Sequence, residues 1–475
     1  MLFNSFDFGF FLVIVYLAYW AIGTQRRKAQ NVLILIASYA FYGLWDWRFL
    51  GLLVLSSLVD FIAGRGIGNS EKSSTGKLYL WLSILWNLGV LFTFKYFNFF
   101  IDSFETLFGM EISSGYTFWN VAIPLGLSFY TFQTMSYSID VFQKKIKPTH
   151  NLLEFFCFVS FFPQLVAGPI EKAKHLLPQF ENRRRFDLEN TKSGLRQILW
   201  GIFKKIIVAE KLGIAVTMAF DNPEAYNSIT LVFASFLFCF QVYCDFSGYT
   251  DIAIGTAKLF GFKLSKNFNL PYFSRSVSEF WQRWHITLTR WFTDYVYIPI
   301  VKSGKGISRT KKIMALLLTF TLVGLWHGAN WTFIIFGALN AVILSLERIP
   351  IFRNKKTLRQ KLQTIPWILA SIYGFIIFTL SALLFRATDL EQASLLLKRI
   401  VSFTMDGALT TLIGYKLFYL AFVIVAEVAT RRFDFPLEKL ELKVSRPIRW
   451  MVYYALIFFI IRYAEPKEAF IYFQF

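Results

Sequence analysis

The chain has 475 residues, of which 55% are hydrophobic and 19% aromatic, including 56 phenylalanines. Charged residues make up only 17%, compared with about 25% in an ordinary soluble domain. This composition excludes a typical soluble globular domain, and several apolar stretches approach the ~20 residues that a helix needs to span a bilayer. The sequence therefore predicts an all-α, polytopic membrane protein.

The formal net charge is +20, but its distribution argues against a nucleic-acid partner. Basic clusters lie between apolar runs, and the loops at 98–116 and 221–228 are poor in Lys and Arg. This alternation follows the positive-inside rule, so topology and contact with anionic lipid head groups explain the charge. The basic clusters lie at 25–28, 143–147, 183–185, 309–312, 353–356 and 430–432.

The first third of the chain predicts an extracytoplasmic start followed by five spans. Residues 1–9 carry no basic side chain and so lack the basic n-region of a cleavable signal peptide. We expect the first span to remain in the membrane as an anchor. The five spans are predicted at about 8–23, 31–45, 49–64, 78–97 and 117–140.

The next apolar run, at 155–170, has basic segments on both sides and contains Pro163 and the pair Gly168-Pro169. This pattern favours a broken, re-entrant helix, which membranes tolerate only where protein or a water-filled cavity shields the backbone. Spans at about 198–220 and 229–250 follow.

The region at 273–300 mixes aromatic side chains with five charged ones, which is typical of an interfacial or cavity-lining helix. The apolar runs at 314–326 and 331–345 have basic outer ends, so we expect a helical hairpin that enters from the cytosol with HGAN at its tip. Gly328 is expected to permit the tight turn. Tail spans at about 366–386, 409–428 and 447–464 put both termini on the extracytoplasmic side.

His327, in the sequence GLWHGANW, is the first candidate for a functional residue, with Trp326 beside it in a supporting role. An ionisable residue at membrane depth is a functional hypothesis by default. Burial favours the neutral imidazole, which can act as a general base. A buried structural histidine is the alternative. Asn330 could orient His327 or donate a hydrogen bond to developing charge.

Two further residues have both a functional and a structural interpretation. His285, in FWQRWHITLTRW, suits either an active site or the aromatic belt at the membrane interface. Asp245 lies in the apolar segment 241–255, where a buried carboxylate suits pairing with Lys or Arg as well as catalysis. His150 and His175 lie in basic cytosolic loops and are interpreted as solvated.

Other chemistries are not indicated by the motifs. The sequence has no HExxH motif and no paired His/Cys spacing, so no metal site is predicted. The three cysteines show no framework spacing, and no G-x-S-x-G, P-loop or G-x-G-x-x-G motif occurs. No internal repeat or low-complexity tract is present, which predicts a single domain over residues 1–475.

With these motifs, nearly the whole chain resembles the membrane-bound O-acyltransferase (MBOAT) family. It looks most like the bacterial branch that O-acetylates alginate, with the D-alanyl teichoic-acid transferase as a near relative. The resemblance is carried by the segments at 86–100, 123–142, 161–172, 241–255, 267–300 and 324–341.

The resemblance implies a ring of tilted transmembrane helices, with re-entrant and interfacial helices around a central tunnel. The family's catalytic histidine falls on His327, and a second polar position falls on His285. The implied acyl donor is acetyl-CoA, a substrate rather than a bound cofactor. Lys172 and Lys174 are candidates for holding its phosphates.

The resemblance further implies a multi-pass protein of the bacterial inner membrane that passes the acetyl group outward to a separate SGNH-type acetyltransferase. The acceptor would be a polysaccharide such as alginate. D-alanyl transfer to teichoic acid, peptidoglycan O-acetylation and a non-enzymatic transporter or flippase are the alternatives. General-base catalysis and a covalent acyl-histidine relay both remain open.

Overall fold

The structure is a computed structural model that describes residues 3–109, 123–304, 306–350, 356–405 and 416–463. Its regular elements over these ranges are helices, with one isolated antiparallel bridge between Pro350 and Thr357. The helices are α1 (Phe6–Ala21), α2 (Arg27–Asp46), α3 (Arg48–Asn69), α4 (Ser73–Leu91), α5 (Phe97–Phe108), α6 (Leu127–Phe142), α7 (Leu152–Ser160), α8 (Ala173–Glu181), α9 (Leu188–Phe203), α10 (Glu210–Asp221), α11 (Ser228–Leu259), α12 (Val277–Arg283), α13 (Ile286–Phe292), α14 (Ile298–Lys302), α15 (Arg309–His327), α16 (Trp331–Glu347), α17 (Leu358–Leu362), α18 (Trp367–Arg386), α19 (Leu390–Val401), α20 (Lys416–Ala429), α21 (Leu440–Lys443) and α22 (Arg446–Tyr463).

Three π-helical turns join neighbouring helices without a break. They are Phe92–Tyr96 between α4 and α5, Lys204–Ala209 between α9 and α10, and Thr293–Tyr297 between α13 and α14. Such single π-turns widen a helix locally and often occur at functional sites.

Four of the described helices are long and apolar enough to cross a membrane, by length and composition. They are Arg48–Asn69, Ser73–Phe108, Ser228–Leu259 and Trp367–Arg386. Together with the helical secondary structure, these helices confirm the prediction of an all-α, polytopic membrane protein.

The chain groups into two compact units. The first consists of residues 1–198 and 252–265, and the second of residues 199–251 and 266–475. In the first unit, α3 packs on α4 and α6, and α2 packs on α7. In the second unit, α15 packs on α16 and α16 packs on α18. The single domain expected over residues 1–475 stays a prediction.

Several predicted elements match the observed helices closely. The hairpin expected from 314–326 and 331–345 is α15 and α16, and the span expected at 366–386 is α18. The broken helix expected at 155–170 is α7, which ends at Ser160 and is followed by consecutive turns through Gly168. Pro163 lies in these turns, because its ring and missing N–H are incompatible with a helix interior.

Other boundaries were wrong. The helix expected to start at 117 begins at Leu127, after Gly126 with φ +72°; residues 110–122 lie outside the described residues. The single helix expected over 273–300 is interrupted, because His285 adopts a left-handed conformation with φ +40°. The span expected at 409–428 is not one of these errors: its described part ends at Ala429, and residues 409–415 lie outside the described residues.

The backbones of α15 and α16 approach each other closely at two glycine residues. A Cβ atom on Gly324 would lie 2.1 Å from the Phe333 carbonyl oxygen, and one on Gly337 would lie 2.1 Å from the Phe320 carbonyl oxygen. Small residues at membrane helix interfaces allow this close approach. The hairpin therefore depends on the absence of a side chain at both positions.

We predict that Gly337→Ala lowers the stability of the protein by about 1–3 kcal/mol, because overpacking forces the two backbones apart. Thermal unfolding in detergent measures the effect. Gly51→Ala in α3 is the control, since a Cβ atom there would meet nothing within 4 Å, and alanine favours the helix. Equal melting temperatures for the two variants would contradict the prediction.

Candidate active site

His327 is the last residue of α15, at the tip of the hairpin. Its residue surface is 3% exposed. Its ring centroid lies 5.1 Å from that of Trp326 and 5.1 Å from that of Phe385, which belongs to α18. The Phe336 ring of α16 lies at 6.4 Å. The imidazole is therefore enclosed by aromatic rings from three helices.

Gly328 does not serve the role expected from the sequence. Its φ of −163° is an extended conformation that any residue adopts, so the turn does not require glycine for its dihedral angles. A Cβ atom on Gly328 would instead lie 2.2 Å from the Phe333 ring. Glycine is needed here because the aromatic ring lies directly against the backbone.

Asn330 caps α16, and its side-chain hydrogen bonds are to residues other than His327. Its side-chain oxygen accepts a hydrogen bond from the Thr332 backbone N–H at 3.0 Å, and its amide donates to the Thr388 carbonyl at 2.7 Å. Capping of this kind stabilises a helix start by about 1 kcal/mol. The contacts favour a role for Asn330 in fixing the hairpin tip.

His285 lies in the break between α12 and α13 and is fully buried, with 0% of its surface exposed. Its ring centroid is 4.7 Å from Phe246 and 5.7 Å from Trp326. A left-handed conformation at a non-glycine residue costs on the order of 1–3 kcal/mol and persists only where the surroundings impose it. The residues around His285 must therefore hold it in this conformation.

Asn267 is the residue that holds His285, and sequence reasoning missed it as a site residue. Its Oδ1 accepts hydrogen bonds from His285 Nδ1 at 3.1 Å, from Thr287 Oγ1 at 2.9 Å and from the Thr287 backbone N–H at 3.2 Å. Its carbonyl accepts from the Ile286 N–H at 2.9 Å. A polar amide immediately before the largely apolar sequence FNLPYF, residues 268–273, was the available signal.

These contacts determine the tautomer of His285. A backbone N–H can only donate, so the bond from Thr287 fixes which atom of the Asn267 amide is the oxygen. His285 Nδ1 must then carry the hydrogen, and Nε2 is the acceptor of the ring. The site thus contains an imidazole whose proton position is imposed by a neighbouring side chain.

Trp326 brings the two histidines together. Its indole contacts both His285 and His327, at ring-centroid distances of 5.7 and 5.1 Å. Three of the predicted site residues, His285, Trp326 and His327, therefore form one cluster. Within the described ranges, no group of three His, Cys, Asp or Glu side chains is arranged to hold a metal ion.

Asp245 forms a buried ion pair, the structural interpretation that the sequence left open. Its carboxylate lies 2.6 Å from the Lys205 ammonium, and Glu210 lies 3.7 Å from the same lysine. The neighbouring Lys204 pairs with Asp251 at 2.7 Å. Asp245 and Lys205 thus neutralise each other in the second unit.

Lys172 and Lys174 belong to the first unit, at the start of α8. Beside them, Glu171 accepts hydrogen bonds from the Ser265 backbone N–H and from His175 Nδ1, the latter at 2.7 Å. Lys174 is exposed and Lys172 half-buried. The Glu171 contacts fix α8 against the loop after α11, while the lysines remain candidates for anion contacts.

The described geometry is that of a helical membrane protein with two imidazoles enclosed by aromatic rings. The sequence matches MBOAT, the membrane-bound O-acyltransferase family, over residues 73–386. The chain belongs to this family and is an O-acyltransferase. The resemblance inferred from the motifs and the prediction of an acyltransferase are thereby confirmed.

Three relatives cover most of the chain. It is 34% identical to the probable alginate O-acetylase AlgI of Azotobacter vinelandii, over 91% of this chain and 86% of the relative. It is 36% identical to that of Pseudomonas aeruginosa, over 85% and 75%. It is 33% identical to the peptidoglycan O-acetyltransferase of Helicobacter pylori, over 84% and 80%.

We predict that Asn267→Ala destabilises the protein by roughly 1–3 kcal/mol for each buried donor left without an acceptor, and also lowers activity. Asn267→Asp keeps the accepting oxygen atoms and is expected to retain the fold. Thermal unfolding and acyl transfer, measured side by side, check both variants. Full activity in Asn267→Ala would show that the amide does not hold His285.

The pH dependence of stability should report on the pair of Glu171 and His175. The hydrogen bond to Glu171 raises the pKa of His175 above its usual value. A raised pKa in the folded state contributes stability that is fully present below the unfolded pKa of about 6.5 and is lost as the pH rises through the folded pKa.

We therefore expect His175→Gln to lower the melting temperature more at pH 5.5 than at pH 8.5. His150→Gln, at an exposed loop position, is the control and should show no such difference. A constant or inverted difference for His175→Gln would refute the role of the pair.

Proposed function

We propose that the chain transfers an acetyl group from cytosolic acetyl-CoA across the inner membrane for O-acetylation of an extracytoplasmic polysaccharide such as alginate. The observation that carries this proposal is the pair His285 and His327, enclosed by aromatic rings in a member of an O-acyltransferase family. The probable alginate O-acetylases, at 34–36% identity, favour the acetyl group and this acceptor.

In the proposed mechanism His327 is the general base. It takes the proton from an acceptor hydroxyl, whose oxygen attacks the thioester carbonyl carbon of acetyl-CoA. The carbon–sulfur bond breaks, and the proton passes from His327 to the departing thiolate of CoA. The aromatic enclosure excludes water, which would otherwise hydrolyse the thioester.

His285 has a supporting role in this mechanism. Its Nδ1 hydrogen is held by Asn267, so its Nε2 can accept a hydrogen bond from a group in the site. The Nε2 atom could therefore accept a hydrogen bond from the hydroxyl that receives the acetyl group and orient that hydroxyl beside His327. The α16 cap made by Asn330 would keep the hairpin tip in place, and Trp326, which contacts both imidazoles, would hold them in one site.

The proposal also includes a partner protein and a polymer that is esterified. A separate extracytoplasmic SGNH-type acetyltransferase would receive the acetyl group and esterify the polymer, and both termini of the present chain would face that side. Residues 464–475 lie outside the described residues. Peptidoglycan is a second candidate acceptor, favoured by the Helicobacter pylori relative.

The test is acetyl transfer in proteoliposomes with radiolabelled acetyl-CoA supplied at the cytosolic face. We predict that His327→Ala lowers the rate about 10²–10⁴-fold, the usual contribution of a general base, while His150→Ala retains the wild-type rate. Both variants are compared at equal folded yield. Equal activity of wild type and His327→Ala would make His327 structural and refute the mechanism.

The same preparations distinguish the remaining alternatives. Label that stays on the protein after rapid denaturation in cold, neutral detergent, and only when His327 is present, would indicate an acyl-histidine intermediate. Label recovered on alginate or on peptidoglycan identifies the acceptor. Movement of substrate without loss of its thioester would favour a transporter.

A further inference from the structure

A basic groove lies in the first unit between the start of α2 and the end of α8. It is lined by residues 25–29 and 181–183 and has a volume of about 640 Å³, which is within the 300–1,000 Å³ range of small-molecule sites. Four of its eight lining residues are cationic: Arg26, Arg27, Lys28 and Arg183. Glu181 is the acidic residue among the eight.

The two walls of the groove are joined by hydrogen bonds. Arg27 donates to the Glu181 carbonyl and also pairs with Glu154 at 3.1 Å. Arg183 donates to the Gln25 side-chain oxygen at 2.6 Å. Because these contacts cross from one wall to the other, the groove is formed before any ligand binds.

A buried guanidinium lies next to this groove. Arg184 is 4% exposed and donates to Tyr19 Oη and Asn31 Oδ1, both at 2.7 Å, and to the carbonyl of the lining residue Asn182 at 3.4 Å. These acceptors are neutral, and no carboxylate of the described residues forms an ion pair with Arg184. The carboxylate that interacts with it electrostatically, Glu154, already pairs with Arg27 at 3.1 Å. A buried charge that is incompletely paired is costly, so an anion nearby would be stabilised.

The N-terminus of α2 adds to the positive potential. Its first turn contains no acidic residue, and Arg26 provides no side-chain cap. Cations at this end oppose the helix dipole, whereas an anion complements it. The positive end of the dipole of this 20-residue helix thus lies beside like charges, which a bound anion would offset.

One face of α2 continues from the groove as an apolar stripe. Lys28, Val32 and Ile36 are spaced four residues apart and lie on the same helix face. Val32 is 43% exposed and Ile36 61% exposed. A cation followed by exposed apolar side chains along one helix face matches a phosphate head group followed by an acyl chain.

We propose that this groove is a binding site for a phosphate ester, and that the apolar stripe favours an anionic phospholipid as the ligand. A free nucleotide phosphate, such as 3′,5′-ADP, has the same recognition chemistry and is the other source to be tested. The site is separate from His285 and His327 in the chain, so the proposal does not depend on the proposed reaction.

The experiment uses the full chain in detergent, with native mass spectrometry to count retained dioleoylphosphatidylglycerol against dioleoylphosphatidylcholine. Equilibrium dialysis with labelled 3′,5′-ADP forms the second arm. Arg26→Gln/Lys28→Gln is the test variant. Neither side chain forms an ion pair with any described residue, so the fold should be kept, as equal melting temperatures would verify.

The matched control is Arg431→Gln/Arg432→Gln, which removes two exposed cations after α20. We expect wild type to retain phosphatidylglycerol over phosphatidylcholine, the test variant to lose roughly tenfold or more of that preference, and the control to keep it. Loss of 3′,5′-ADP binding alone, in the test variant, would support the site with a soluble phosphate as ligand. Equal effects of both variants, or none in either arm, would overturn the proposal.

Discussion

Charged side chains inside an apolar helical protein must be neutralised by the protein itself, because lipid offers no hydrogen bonds. Lys204 and Lys205 lie on the π-turn between α9 and α10, and both are buried. Lys205 pairs with Asp245 of α11 at 2.6 Å, and the next residue, Phe246, packs on His285 at 4.7 Å between ring centroids. Breaking one partner of such a pair leaves an uncompensated charge that costs several kcal/mol. The position of α11, and with it one wall of the histidine site, therefore depends on these ion pairs.

The same constraint governs the irregular backbone around His285. One side chain satisfies polar groups at the break between α12 and α13, and another satisfies the start of α12. Asn267 accepts from His285 and Thr287, and the buried Glu347 of α16 accepts from the first two backbone N–H groups of α12 at 2.8 and 3.0 Å. The start of α12 is thus fixed to the last residue of the hairpin helix α16, while Asn267 fixes the strained residue at the other end of α12.

The apolar runs and their basic flanks predicted α18 and the α15–α16 hairpin with His327 at its tip. They could not predict the break at His285, since the sequence around it has no proline or glycine and the conformation is imposed by Asn267, 18 residues earlier. Nor could they assign Asp245, because its partner Lys205 lies on another helix and sequence spacing does not reveal which charges face each other. The requirement for glycine at 328 was predicted for the wrong reason, since the contact with Phe333 exists only after α15 and α16 pack.

In the proposed mechanism His327 becomes protonated inside an apolar enclosure, and an imidazolium without water is costly. The rings of Trp326 and Phe385 lie 5.1 Å from that of His327 in T-shaped arrangements, with interplanar angles of 75° and 73°, a geometry that aromatic pairs prefer. His285 differs from His327, because Asn267 accepts the hydrogen bond from its Nδ1 and Nε2 is then the acceptor of the ring. A histidine whose proton position is fixed, beside one that can gain a proton, therefore suits the proposed reaction.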